Sequence, residues 1–308
     1  MRITNQMSYQ QLSSSVLDNQ QAVYDAQQQV SSGKRISVPS DDPVAFGRMA
    51  RMNNTLASVQ RYSKNIDQAK SELTSVDSAL QQAGSLFQRA QEIATQASDD
   101  TKTAAERKSM GEEVDSMLTS LLDIANTTYD GHTVFSGTSG TSPAYKATDV
   151  SGDGHLDTFA YQGGTSPRMI SVTDANAIAV GVPGSDTSST QAVFQSSSVD
   201  LFSTLSQFRD QLLSGATITG STIGQQLQDC QEHLTGVLAT VGGRSAALDA
   251  SSKLLSQRET DLTDDVGSVQ SLDIAQAMMT LTNKQQAYQA ALSATAGLSK
   301  NTLIDWLR

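Results

Sequence analysis

YQQLSSSVLDNQQAVYDAQQQV, residues 9–30, places Tyr9, Leu12, Val16, Asn19, Val23, Ala26 and Val30 alternately three and four residues apart. That spacing puts all seven on one narrow stripe of a helix, the seam of a coiled coil. Gly33 follows as the residue able to take the left-handed conformation that ends a helix. Asn19 is polar on an apolar seam, which costs stability and fixes register. The same spacing returns near the other end of the chain, at Ile274, Met278, Leu281, Gln285, Tyr288, Leu292 and Thr295, and Leu298, Leu303 and Trp306 extend it. Two matched stripes predict that the terminal segments pair with each other or with neighbouring copies.

Working inward from the first stripe, residues 34–43 form a connector that closes on Ser40, Asp41, Asp42 and Pro43. Asp42 as N-cap with Pro43 at the first helical position is a strong helix start, because the N–H that proline lacks has no partner there in any case. A long stripe then runs through Ala45, Met49, Met52, Leu56, Val59, Tyr62, Ile66, Ala69, Leu73, Val76, Leu80, Ala83, Phe87, Ala90, Ala94 and Ala97. At 1.5 Å per residue this helix spans roughly 80 Å. Thr103 and Glu106 have the spacing of a capping box that starts the next helix, with Met110, Val114, Met117, Leu121 and Ile124 as its stripe.

Near Tyr129-Asp130-Gly131 the pattern changes to one rich in Gly, Ser and Thr, with a period of two at 168–172 and 177–182 and a turn at Asp174 and Asn176. Helical spacing resumes at Leu201, Leu205, Phe208 and Leu212, stops at Gly215, and continues from near Ser221 through Ile223, Leu227, Cys230, Leu234, Val237, Val241 and Leu248 to Val269. Gly242-Gly243 interrupts this last rod and predicts a kink or a close helix approach. The predicted fold is mainly α: an elongated antiparallel bundle of long helices with paired terminal helices and a small β-rich insertion at its distal tip. We expect three parts: residues 1–42 with 266–308 as a terminal coiled-coil assembly domain, 43–131 with 199–265 as a helical rod, and 132–198 as the β-rich insertion.

Composition narrows the function. Only 37% of the 308 residues are hydrophobic and 5% aromatic, which suits thin seams of Ala, Leu and Val better than a thick aromatic core. With 21 basic against 32 acidic residues the net charge is −11, and no basic run exceeds Lys34-Arg35, so neither nucleic acid nor an anionic membrane is an expected partner. Cys230 is the only cysteine, which excludes an intrachain disulfide and a cysteine-based zinc site; on an apolar stripe it reads as a small buried hydrophobe. The N-terminus has no apolar segment of a secretory signal, and no stretch reaches the roughly 18 apolar residues of a membrane span.

Catalytic patterns are missing: no G-x-S-x-G, Walker A or H-E-x-x-H occurs, and His132, His155 and His233 stand in separate segments. No enzyme activity and no cofactor are expected. Residues 149–157, DVSGDGHLD, imitate the oxygen spacing of an EF-hand loop with Gly154 at the sixth position, but Ala160 stands where the bidentate Glu belongs and no helix flanks the loop. A turn between strands is the expected reading, with a calcium loop as the alternative. Trp306 packs on the N-terminal helix or anchors a partner, and both readings stay open.

Several of these motifs carry a family resemblance. Val30-Ser-Ser-Gly-Lys-Arg-Ile36 followed by Pro39-Ser40-Asp41-Asp42-Pro43-Val44-Ala45 resembles the N-terminal signature of the flagellin superfamily. The proline after Asp-Asp favours its hook–filament junction branch over filament flagellin. Tyr129–Gly137, Val241-Gly242-Gly243-Arg244, Leu272–Ala277 and Gln285–Ala290 are similar to the same branch, whereas the close Leu303–Leu307 departs from it and residues 138–198 match loosely. The resemblance implies a structural subunit of the bacterial flagellum, exported by the type III apparatus without a cleaved signal and located outside the cell. It implies self-assembly into a ring between the first hook-associated protein and flagellin, and a cytosolic export chaperone on the C-terminal region. Filament flagellin is the nearest rival; an adhesive or glycan-binding role for the insertion, with Tyr145, Phe159 and Tyr161 as its sparse aromatics, is a more distant one. Nucleating an isolated helix is costly, so the terminal segments are expected to gain their order on assembly.

Overall fold

The computed structural model describes residues 5–140, 142–188, 191–215 and 222–306, with no side-chain detail at 5, 6, 8 and 9 or from 298 onward. Its helices are α1 (Asn5–Ser32), α2 (Pro43–Ala97), α3 (Ala104–Ala125), α4 (Leu201–Leu213), α5 (Thr222–Gln270) and α6 (Ile274–Trp306). None of them is long and apolar enough to cross a membrane.

Local chemistry sets the boundaries. Gly33 takes φ 68° after α1 and Gly215 takes φ 69° after α4, a region open to glycine at no steric cost. The Asp42 carboxylate accepts the Ala45 N–H at 3.0 Å and opens α2. Thr103 and Glu106 form a complete capping box at α3, and Asp200 accepts the Ser203 N–H at α4. The Gly242-Gly243 pair does not break α5, and a Cβ added at either position would meet nothing within 4 Å. The close helix approach expected there is not found among the described residues.

The chain divides into two compact units, residues Met1–Ser58 with Arg258–Arg308, and residues Val59–Gln257. In the second unit the helical part is an antiparallel bundle of α2, α3, α4 and α5. Arg89 on α2 pairs with Glu113 on α3 at 2.8 Å, and Lys70 on α2 pairs with Asp249 on α5. The Cys230 thiol on α5 lies 3.6 Å from the Thr204 hydroxyl on α4. Gly111 lets α3 approach α4, since a Cβ there would lie 2.8 Å from Leu213 Cδ2. The expected stripes form the core: Ile66, Ala69, Val76, Ala83, Phe87, Ala90 and Ala97 are fully covered, as are Val114, Leu121, Leu205, Phe208, Leu212, Leu227, Cys230 and Leu248.

The β-rich segment consists of four two-stranded ladders. β1 (Thr128–Tyr129) and β2 (His132–Thr133) form a tight hairpin with Asp130 and Gly131 both at positive φ. β3 (Tyr145–Thr148) pairs with β4 (Thr158–Tyr161), and β5 (Met169–Ser171) with β6 (Ala177–Ala179), both antiparallel. β7 (Ser185–Asp186) and β8 (Gln195–Ser196) are parallel. This segment lies against the bundle along α2 and α5. It touches α2 at Tyr62, Asn65 and Glu72, well short of the α2–α3 turn, and α5 at His233 and Arg244.

Beneath the segment sits an aromatic cluster that low aromatic content did not announce. Phe159 stacks on Phe202 with centroids 4.4 Å apart, Tyr145 lies 5.0 Å from Phe202, and Phe135 meets Phe194 edge-on at 5.1 Å. Such pairs add about 0.5–1.5 kcal/mol each beyond burial. Two buried charges complete the attachment. Glu72 on α2, 1% exposed, pairs with Arg168 and lies 3.9 Å from His132. Arg209 on α4, 2% exposed, reaches Asp115 at 3.1 Å, Asp157 at 3.3 Å, Asp210 at 2.8 Å and the Leu156 carbonyl at 2.8 Å. Charges so deeply covered require such partners.

His155 adds a titratable link, 3.2 Å from Asp115. The hydrogen bond to Asp115 raises the His155 pKa above its ordinary 6.5, against a smaller opposing effect of burial. A raised cationic pKa stabilises the fold fully below the unfolded value and loses that contribution as pH climbs through the folded one. Stability in urea should therefore fall as pH rises from about 6.5, and His155→Gln should flatten that part of the profile. An unchanged slope in the variant would remove His155 from the account.

Candidate assembly surface

In the first unit α1 and α6 lie antiparallel against each other, since the end of α1 meets the start of α6 at the Lys34–Ser271 bridge. The seam on α1 is the one its spacing predicts. Leu12, Val16, Asn19, Val23 and Val30 are half-buried and Ala26 is 5% exposed. Tyr9, Leu298, Leu303 and Trp306 are side chains outside the described residues.

On α6 the predicted stripe splits. Leu281, Tyr288 and Thr295 are half-buried, and so are Ala277, Lys284 and Ala291 one position before the expected Met278, Gln285 and Leu292. Ile274, Met278 and Leu292 stay 61%, 48% and 43% exposed. The rows 277/284/291 and 278/285/292 flank the shared row 281/288/295 equally, so heptad spacing cannot choose between them. The pair covers the row with two alanines, which lets the helices approach, and leaves the larger apolar side chains outside.

The connector is a knot that ties four helix ends. The Arg35 N–H donates to the Gln270 carbonyl at 2.9 Å, and the Arg35 guanidinium reaches the Val269 carbonyl at 3.2 Å and Asp42 at 3.7 Å. The Asp41 carboxylate accepts the Ser37 and Val38 N–H groups at 2.8 and 3.1 Å, and these bonds hold its pKa below the usual carboxylate value. Asp42 caps α2, and Asp273 caps α6 by accepting the Gln276 N–H at 3.1 Å. Ser40 and Pro43 are exposed within this turn. Ile36 is fully buried beneath it, an anchor that no periodicity marks because it stands alone in a loop.

Outside this unit, the acidic loop between β3 and β4 is a turn, as expected. Asp149 accepts N–H bonds from Gly152 and Gly154, Asp157 from Val150 and Ser151. These bonds, led by that of Ser151, lower the Asp157 pKa. Asp149, Asp153 and Asp157 have ligand atoms within 4.8 Å of one another, the set that could hold a cation, but Asp157 already pairs with Arg209. Burial pushes the Cys230 thiol up to about 11, which suits packing and not nucleophilic attack.

Comparisons with known proteins place this architecture. Residues 3–140 match the bacterial flagellin N-terminal helical region. Flagellar hook-associated protein 3 of Escherichia coli (strain K12) is 31% identical over 138 residues, 44% of this chain and 44% of its own length. Its counterpart of the same name in Salmonella typhimurium (strain LT2) is 28% identical over 185 residues, covering 60% of this chain and 56% of that protein. The chain thus spans about half the length of the curated relatives it matches. The crystal structure of flagellar hook associated protein-3 from Legionella pneumophila shares the fold, with a TM-score of 0.61 at 16% identity over 71% of this chain and 98% of that one.

Two outcomes follow from the thin seam and the knot. Asp42→Ala should destabilise the protein by about 1 kcal/mol in urea through loss of the N-cap; no loss would mean the connector holds α2 without it. In hydrogen exchange on the free protein, amides of residues 10–30 and 277–295 should exchange well before those of 66–97. Equal protection of both sets would show that the terminal pair is as stable as the bundle.

Proposed function

We propose that this chain is a structural subunit of the bacterial flagellum that joins the hook, through the first hook-associated protein, to the flagellin filament. One observation carries the reading. Nine of the twelve exposed large apolar side chains among the described residues fall in the first unit: Met7, Leu17, Tyr24, Val38, Val44, Ile274, Met278, Met279 and Leu292. Exposed apolar surface of this kind marks a protein interface. The likeness to hook-associated protein 3 in sequence and fold supports the same assignment.

In this reading the subunits form a ring through the terminal segments, 1–42 and 266–308, and the chain also carries the helical rod 43–131 with 199–265 and the insertion 132–198. The seam residues Leu12, Val16, Asn19, Val23, Val30, Leu281 and Tyr288 hold the terminal pair, and Ile274, Met278 and Leu292 meet the neighbouring copy. The role is mechanical and not catalytic. The chain reaches its place outside the cell by type III export without a cleaved signal, with a cytosolic chaperone on its C-terminal region beforehand. The match to the flagellin N-terminal region keeps filament flagellin as the second reading.

Deleting the gene tests the assignment. Electron microscopy should show hooks without filaments, with flagellin shed into the medium; normal filaments would overturn the junction role. Growth of long filaments from the purified chain alone would favour the second reading.

A further inference from the structure

The first unit carries two faces of opposite charge. Residues 43–58 of α2 contain Arg48 and Arg51 and no acidic side chain. The two arginines stand three residues apart, hence on one helix face, and both are exposed while Met49 beside them is buried. Residues 258–270 of α5 contain Glu259, Asp261, Asp264 and Asp265 against Arg258 alone. Asp264 and Asp265 are exposed; Asp264 lies opposite the half-buried Leu262, Val266 and Val269, and Asp265 about 100° round the helix from it. Among the described residues no ion pair reaches Arg48, Arg51, Asp264 or Asp265. Elsewhere in the same molecule Arg89, Lys70, Arg168 and Arg209 are all paired.

We infer that neighbouring copies of this chain meet through these faces, Arg48 and Arg51 of one copy against Asp264 and Asp265 of the next. The inference rests on the self-assembly reading above and names its contact. Opposite charge makes the two faces complementary, and Val44, 83% exposed one turn before Arg48, adds apolar area beside the arginines. Because the faces are different surfaces, the contact is head-to-tail. Such a contact propagates into a ring or helix instead of closing a two-fold dimer. Exposed ion pairs add little affinity, but they set register and speed encounter, which an uncharged apolar seam does poorly. Asp18 and Asp25 on α1 are further exposed acids of this unit that could receive the arginines.

Cross-linking in isolated flagella tests the pairing. Cells would produce one chain with Arg51→Cys and a second with Asp264→Cys, and the purified flagella would be oxidised. Cys230 is 0% exposed and stays silent. The expected product is a disulfide-linked dimer of the two chains, with none when Asp18→Cys replaces Asp264→Cys. Chains present in the flagella without that dimer, or linked through residue 18 instead, would overturn the inference while leaving the assembly reading standing. Absence of the unaltered chain from flagella would overturn both. Charge reversal gives a second readout: Arg48→Glu with Arg51→Glu should lower incorporation about tenfold, and Asp264→Arg with Asp265→Arg on the other chain should restore it. Incorporation unaffected by the reversal would also count against it.

Discussion

The governing constraint is the narrowness of the terminal seam. A stripe of Leu, Val, Ala and Asn on α1 can cover only a matching stripe on α6, and of the α1 and α6 side chains described only Ala26 is buried. Apolar burial contributes about 25 cal/mol per Å², so a pair this thin contributes little beyond the entropy it costs. The second unit is different in kind. There α2, α3, α4 and α5 close around fully covered Leu, Ile, Phe and Ala side chains. One chain thus holds a closed bundle and, in its first unit, large apolar side chains that stay exposed among the described residues.

Between the thin pair and the continuing helices lies the connector, and its bonds are polar where the seam is apolar. Arg35, Asp42 and Asp273 satisfy helix-end donors and acceptors that would otherwise face water, and Asp41 holds two N–H groups within the loop. Ile36 supplies the one fully buried side chain of the loop. These bonds fix the directions in which four helix ends leave the knot.

Much of this was legible in residue spacing. The three-and-four rhythm located every long helix, and Asp42-Pro43, Thr103 with Glu106, Gly33 and Gly215 marked ends that the structure reproduces. These signals are local, since a cap or a left-handed glycine acts within one turn. The arginine and glutamate ties were not legible. Glu72 and Arg209 lie on helices among exposed polar residues, and nothing in the helical period distinguishes a buried ion from a solvated one. Their partners are distant in sequence, Arg168 for Glu72 and Asp157 for Arg209.

The sequence by itself determined which segments are helical and where they start and stop. Tertiary structure decided what spacing leaves degenerate. It covered the row of Ala277, Lys284 and Ala291 and left Met278 and Leu292 outside, because alanines allow the closer helix approach. It also laid the β-rich segment against the bundle, where Phe135, Tyr145, Phe194 and Phe202 meet, since aromatic side chains scattered along the chain gain their contacts only when the chain folds back on itself.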